Sequence, residues 1–379
     1  MLSVTQLTLT QFRNYDFMRL ETAPSPVVLC GENGAGKTNI LEALSLLAPG
    51  RGLRGNAFSE LCRSTVHGAA EGWGVAADVN APLGEVKLGT GWRDPDIHAG
   101  QPSGRQVQID GAMQKGSGAL GAYMRAIWLT PAMDRLFTGP ASDRRRFVDR
   151  LTGSFDAHHG AQVHAFEKLM RERNRLLDSG ERTGAWLDGV ELQMAEAAVA
   201  VAAARKAAID ALTPVLAASK SGYFPWVELS LEGELENSMA ECAAVDVEED
   251  YRRTLAENRE RDAAAGRALN GPHRSDIAVV HGPKGLEARY CSTGEQKALL
   301  IGIVLAHAHV IQTVFSGFAP LLLLDEVAAH LDEHRRAGLF EEISKLGAQA
   351  WMTGTDTNLF EAASGQAQFF TVTDGKVTS

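Results

Sequence analysis

A chain of 379 residues is long enough for two domains that each bury a proper core. With 45% hydrophobic and 22% charged residues, it has the composition of an ordinary soluble globular protein. Its formal net charge of −10 argues, taken alone, against nucleic acid as a partner, but the charge is unevenly spread. Residues 228–262 hold twelve acidic and four basic side chains, whereas residues 141–175 hold eight basic and five acidic ones. One acidic segment therefore carries most of the net charge and leaves room for a basic patch elsewhere.

The N-terminal MLSVTQLTLTQF has no basic stretch followed by an apolar one, so it is not a signal peptide. Leu7 and Leu9 alternate there with Thr8 and Thr10, as in a half-buried strand. A second strand, Val27 to Cys30, runs into GENGAGKTN (31–39). KTNILEALSLLAPG then shows helical spacing at Ile40, Leu41, Leu44 and Leu47 and stops at Pro49-Gly50. Residues 50–118 are rich in Gly, with apolar runs such as WGVAADV and VQIDG, which predicts short strands joined by turns. From about residue 141 the pattern turns helical. HAFEKLMRERNRLL places Phe166, Leu169, Met170, Leu176 and Leu177 on one face, and the Ala-rich ELQMAEAAVAVAAARKAAIDAL has almost no breakers. WVELSLEGEL alternates like a strand, and DVEEDYRRTLAENRERDAAAGRAL reads as one charged helix. Gly/Pro chemistry returns at GPHRSD (271–276), followed by the short apolar runs IAVVHG, PLLLLDE and AWMTGT. ALLIGIVLAHAHVIQTVF (298–315) is interrupted by His307, His309 and Gln312 and is short for a membrane span, so it reads as a buried helix. Cys30, Cys62, Cys242 and Cys291 form no C-x-x-C pair, which suggests a reducing cytosol and no metal site. The simplest organisation is a β-rich nucleotide domain built from both chain ends, with a mainly helical insertion near 141–271.

Two motifs carry nucleotide chemistry. GENGAGKT has the form G-x-x-x-x-G-K-T between a strand and a helix, the context a P-loop needs. Gly31, Asn33, Gly34, Ala35, Gly36, Lys37, Thr38 and Asn39 form the expected cradle. The glycines let backbone N–H groups turn toward phosphates, Lys37 adds a point charge, and Thr38 offers a hydroxyl to Mg2+. LLLLDE (321–326) is an apolar strand ending in two carboxylates, the Walker B pattern. Asp325 is expected to hold Mg2+ and Glu326 to orient and deprotonate the attacking water. Alone, each pattern also fits a Gly-rich turn or an ordinary strand end.

A third element, CSTGEQKALL, opens a long apolar helix with Ser292-Thr293-Gly294-Glu295-Gln296. Plain helix-start chemistry would account for it. It also resembles the signature motif of ABC-type ATPases, in which the Ser, the Gly and the helix start of one subunit complete the site of another. AAHLDEHRR follows Walker B, and its His330-Leu331-Asp332 matches the D-loop, which implies Asp332 at a dimer interface. AWMTGTD stands at the switch position, where transporters carry a His; the candidates here are Thr353, Thr355 and Asp356. WLTPAMD (128–134) falls at the Q-loop position but has no Gln. Lys37 and Ser292 stand 255 positions apart, and the stretch between them holds one compact insertion without sustained heptads.

Together these segments resemble the RecF family. The resemblance rests on QFRNYDFMRLE (11–21), CGENGAGKTNILEAL (30–44), SDRRRFVDRL (142–151), RERNRLL (171–177), GPHRSD (271–276), STGEQKALLIGIVLAHA (292–308) and LLLLDEVAAHLD (321–332), in the family's order. The chain departs from the family at Glu295, often Gln, at Asp325-Glu326, usually an Asp pair, and at Ser275, usually a second acid. The fold implied is α/β: an ABC/SMC-type P-loop ATPase head with a β-rich lobe, plus an inserted mainly helical lid. Residues 1–140 are the first head segment with Walker A, 141–271 the lid, and 272–379 the second head segment with signature, Walker B and D-loop.

The resemblance also implies an ATP- and Mg2+-dependent homodimer and a weak DNA-stimulated ATPase. It implies binding to double-stranded and single-stranded DNA at gap junctions, and cooperation with RecR and RecO to load RecA in gap repair, replication restart and the SOS response. The setting is cytoplasmic, without a membrane. Lys37, Ser292 and Glu326 are the expected catalytic residues; Arg13, Asn14, Ser292, Gly294 and Asp325 join the cradle in holding ATP, and Thr38 and Asp325 hold the metal. Arg13 and Asn14 equally fit a turn after a strand. Arg144, Arg145, Arg146 and Arg150 are candidates to grip DNA phosphates, against a solvated helix face paired with Asp143 and Asp149. Arg171, Arg173 and Arg175 stand between the same two readings, and His273 and Arg274 fit either a functional loop or a hinge. The competing classes are a transporter ATPase subunit, a monomeric P-loop kinase or NTPase, and a DNA-binding module with a merely structural nucleotide site.

Overall fold

The computed structural model describes residues 1–65, 68–94, 104–219 and 222–378. The chain forms two compact units: Met1–Asp134, Ser221–Phe224 and Thr293–Ser379 make unit 1, and Arg135–Lys220 and Pro225–Ser292 make unit 2. Unit 1 begins with β1 (Ser3–Phe12), β2 (Tyr15–Glu21), β3 (Val27–Cys30) and α1 (Lys37–Ser45). A small hairpin of β4 (Ser64–Thr65) and β5 (Gly68–Ala69) follows, then β6 (Gly72–Ala81), β7 (Gly84–Arg93), β8 (Gln106–Ile109), β9 (Ala112–Gln114) and β10 (Ala126–Leu129). Unit 2 holds α2 (Ala141–Phe155), α3 (His159–Asp178), α4 (Ala185–Ala218), β11 (Val227–Glu232), α5 (Glu234–Glu241), α6 (Ala244–Glu257), α7 (Arg259–Ala265), β12 (Asp276–His281) and β13 (Leu286–Glu287). Unit 1 resumes with α8 (Thr293–Val314), β14 (Leu321–Leu324), α9 (Glu333–Leu346), β15 (Ala350–Gly354), β16 (Gln368–Thr373) and β17 (Lys376–Thr378).

The continuous apolar runs become the centre of a sheet ordered β10-β14-β15-β3-β16-β17. Every residue of β3, β14 and β15 is buried, as a strand covered on both faces requires. Parallel pairing sets Leu324 beside Met352 and Gly354 beside Cys30, so the C-terminal ends of β14, β15 and β3 gather along one edge. The alternating segments build an antiparallel sheet, β2-β1-β6-β7-β8-β9, with Leu7 and Leu9 inward. Within it, β6 and β7 run ten residues each, longer than the Gly-rich composition suggested. Their glycines serve close approach: a Cβ at Gly72 would lie 2.5 Å from the Trp92 carbonyl oxygen, and one at Gly91 2.8 Å from that of Trp73. Among the described residues, α8 is the one helix long and apolar enough to cross a membrane, and 72% of its most apolar window is buried inside the protein.

In unit 2 the small residues Ala195, Ala198 and Ala202 let α4 pack closely with Phe166, Tyr251 and Leu255. The charged stretch expected as one helix divides at Asn258 into α6 and α7. The expected boundary at 271 falls inside this unit, because β12 pairs with β11 along its whole length, from Glu232 opposite Asp276 to Val227 opposite His281. Arg173, one of the arginines weighed as a DNA contact, has no exposed surface. Its guanidinium donates to Glu191 at 2.9 Å, to Asp262 at 2.6 Å and to the Leu255 carbonyl at 2.7 Å. Truncating one partner of such a network strands the others as uncompensated buried charge. Arg173→Met is therefore expected to destabilise the protein by about 3–5 kcal/mol, read as a lowered midpoint in urea unfolding.

Candidate nucleotide-binding site

The loop leaving β3 is shaped by what surrounds it. Gly31 has φ +153, and a Cβ there would meet the Val372 carbonyl oxygen at 2.2 Å. Gly36 has φ +115, and a Cβ there would meet Asn14 Nδ2 at 2.5 Å and Tyr15 Oη at 2.7 Å. Only glycine fits either place. Asn14 Nδ2 donates to the Ala35 carbonyl at 3.1 Å and Tyr15 Oη to that of Gly36 at 3.1 Å. Asn39 Nδ2 donates to Asn14 Oδ1 at 2.8 Å. The turn between β1 and β2 thus braces the loop from outside. Arg13 and Asn14, expected to join the cradle in holding ATP, lie beside the loop with their polar ends held by protein partners. The Arg13 guanidinium grips buried Glu42 of α1 through two bonds, 2.8 and 2.9 Å, and Glu42 also accepts from Arg54 at 2.7 Å.

Asn33 and Gly34 form the exposed tip of the loop, and α1 starts with Gly36 as its cap and no side chain on its first N–H groups. Those donors and the helix dipole favour an anion. Lys37 is 5% exposed. Its Nζ donates to the carbonyls of Gly31 at 2.6 Å and Glu32 at 2.8 Å. Burial pushes its pKa down, while Glu326 and Asp325 nearby oppose that.

The two motifs meet at Thr38. Its Oγ1 donates to both carboxylate oxygens of Asp325, at 2.9 and 3.1 Å. Thr353 at the end of β15 is fully buried and donates to Asp325 Oδ1 at 2.7 Å. The same hydroxyl accepts the Glu326 N–H at 2.9 Å. Of the three switch candidates, only Thr353 is built into this cluster; Thr355 and Asp356 are exposed, and Asp356 accepts the Asn358 N–H at 2.9 Å. Glu326 adopts φ +49. A left-handed conformation costs a residue with a side chain about 1–2 kcal/mol, so the turn depends on its anchors.

Lys297, on the first turns of α8, was missed by sequence reasoning. It is 5% exposed, and its Nζ stands 3.4 Å from the Glu326 carbonyl and 3.8 Å from Asp134 Oδ2. Burial pushes its pKa down, with Asp134 and Glu326 opposing. A lysine inside an apolar helical run was the available signal. Ser292 is exposed just before α8, and Gly294 lies in its first turn. Asp332 caps α9 by accepting the Arg335 N–H at 2.8 Å; the His330 side chain lies outside the described residues.

The four arginines of α2 do not form one open row. Arg144 makes two 2.7 Å bonds to Asp276, and Arg145 donates to the Ser275 carbonyl at 2.9 Å. Arg150 stands over the Phe147 ring. Arg146 is the exposed one, beside Asp143. His273 stacks on Phe166 and bonds the Ala268 carbonyl, the hinge-like reading of that loop.

A P-loop after one strand of a parallel sheet, an acid pair after a strand in the same sheet, an antiparallel lobe and a helical unit define an ABC/SMC-type P-loop ATPase head. A family model described as the RecF/RecN/SMC N terminal domain matches residues 3–378. The DNA replication and repair protein RecF of Mesorhizobium japonicum is 50% identical over 376 residues, covering 99% of this chain and 97% of its own. That of Brucella suis biovar 1 is 49% identical over 378 residues, covering 99% and 96%. Among solved structures, the recombination mediator protein RecF with ATPrS, of the RecFOR pathway, superposes with a TM-score of 0.83 at 22% identity, covering 99% of this chain and 97% of its own. An Smc head from Pyrococcus furiosus, bound to the C-terminal domain of ScpA, gives a TM-score of 0.54 at 16% identity, covering 100% and 96%. The chain belongs to the RecF family.

Replacing the Thr353 hydroxyl by a methyl keeps the shape but leaves the Glu326 N–H unpaired. Thr353→Val is expected to cost about 1–3 kcal/mol, measured as a fall in thermal midpoint.

Proposed function

We propose that this chain is an ATP-gated DNA clamp of recombinational gap repair and replication restart. Two copies close face to face when each binds ATP, and slow hydrolysis reopens them. The contact of Thr38 with Asp325 carries the reading, since it joins the phosphate cradle to the acidic strand end. The hydroxyl and carboxylate are hard oxygen donors that suit Mg2+, whose charge would offset that of the phosphates. Lys37 and the loop N–H groups hold the phosphates, and Glu326 accepts the proton of the attacking water. Gly294 supports a contact in trans. A Cβ there would meet nothing within 4 Å, so nothing in the chain itself calls for glycine. Ser292 and Gly294 of one copy would complete the site of the other.

In this reading the clamp is cytoplasmic, grips duplex and single-stranded DNA at gap junctions, and works with RecR and RecO to load RecA. The family to which the chain belongs, and the names of its relatives, support that assignment. DNA is held by its backbone, and Arg146 is the exposed candidate of α2.

Light scattering tests the clamp. Wild type is expected to double its mass only with ATP and Mg2+, while Lys37→Met and Ser292→Arg stay monomeric; a mass indifferent to ATP would sink the reading. Glu326→Gln is expected to dimerise and then fail to release DNA. DNA affinity is expected to fall steeply between low and moderate salt. Arg146→Ala should weaken it across all sequences and reduce the log–log salt slope by about one, measured by fluorescence anisotropy titrations.

A further inference from the structure

The two peptide groups that flank the Glu326 Cα are each held. The Glu326 N–H is accepted by Thr353 Oγ1 at 2.9 Å, and its carbonyl faces Lys297 Nζ at 3.4 Å. The residue between them has φ +49. The backbone sets the direction in which a side chain leaves the chain, so whatever fixes this left-handed residue fixes where the Glu326 side chain starts and which positions its carboxylate can reach. Lys297 is an unusual anchor. An ammonium carries three donors, and among the described residues this one has only the Glu326 carbonyl and the more distant Asp134 carboxylate. Asp134 in turn keeps one buried oxygen, Oδ1, without a hydrogen-bond partner among the described residues. A buried, loosely bonded charge is costly to keep, and tightening onto Asp134 and the carbonyl would relieve it.

Resting on the nucleotide reading above, we propose that Lys297 is a positioning residue. It ties the first turns of α8, which begin beside Ser292, to the turn that aims Glu326, with Asp134 as its counter-charge. A shift of α8 on contact with a second copy is thereby passed to the Glu326 carboxylate, and hydrolysis waits for closure.

Lys297→Met removes the charge but keeps an unbranched buried chain. Wild type is measured first for ATP binding, with a fluorescent ATP analogue, and for single-turnover hydrolysis. If it does neither, the nucleotide reading itself fails, separately from this proposal. With wild type active, Lys297→Met is expected to bind ATP within about twofold of wild type and to hydrolyse it about 10- to 100-fold more slowly. Lys297→Arg should recover part of that rate. In a Glu326→Gln background, Lys297→Met should slow hydrolysis no further, because both changes act through one carboxylate. An unchanged rate, an equal loss of binding, or full additivity with Glu326→Gln would overturn the proposal. So would failure of both the Met and the Arg variants to fold, which would make Lys297 a structural charge alone.

Discussion

The structure depends on a contact between residues 287 positions apart, the hydrogen bonds from Thr38 to Asp325. Neither half of the site has its function alone. A P-loop without the acids is an anion cradle, and an acid pair without the loop is a strand end. What joins them is the parallel register of β3, β15 and β14, which brings three C-terminal ends to one edge of the sheet. Thr353, on the strand between, bonds Asp325 and the Glu326 backbone at once. The chain can therefore insert a whole second unit between its two motifs without disturbing the site, because the sheet, not the connection, fixes the geometry.

Legibility in the sequence followed the range of the interaction. The loop was readable because its glycines answer a local demand: φ values near +115 to +153 and no room for a Cβ at Gly31 or Gly36. The strands β3 and β14 were readable because burial on both faces leaves only apolar residues. The end of the inserted unit was not, since residues 272–292 belong to it through long-range contacts such as the pairing of β12 with β11 and the bonds of Arg144 to Asp276. The arginines misled for a related reason. Their run along α2 is a local pattern, whereas the partners that claim Arg144 and Arg145 lie 132 and 130 positions away. Thr353 was legible only as one of three switch candidates and Lys297 only as a lysine in an apolar run; both act through the Glu326 backbone, which no pattern of side chains reveals.

The uneven charge has a structural counterpart. The acidic surplus of 228–262 is partly turned inward, with Glu236 and Asp262 both buried. Asp262 meets Arg173, and Glu236 accepts the Ser275 hydroxyl at 2.7 and 2.9 Å. The carboxylate that meets Ser275 thus comes from α5. Arg205 binds Asp149 through two bonds, 2.8 and 3.0 Å, and donates to the Pro272 carbonyl. Such pairs repay their desolvation poorly and add little net stability. Their geometric demands are strict, however, and they hold α2, α3, α4 and the 271–276 loop of unit 2 in one arrangement.

The same logic of satisfied and unsatisfied charge separates the two buried lysines among the described residues of unit 1, Lys37 and Lys297. Lys37 is held at 2.6 and 2.8 Å by two carbonyls of its own loop, so a phosphate must offer more than those carbonyls to take the ammonium. A terminal phosphate of up to two negative charges does, because it adds the Coulomb attraction of an ion pair that a neutral carbonyl lacks. In the proposed reading the loop thereby favours a highly charged ligand before any base or sugar contact is made. Lys297 is the opposite case: its partners stand at 3.4 and 3.8 Å, and it has everything to gain from a small movement. One lysine resists change until phosphate arrives, and the other favours it. Their common neighbour is Glu326, which opposes the burial-driven fall in the pKa of both lysines and whose left-handed backbone is held by Thr353 on one side and faces Lys297 on the other.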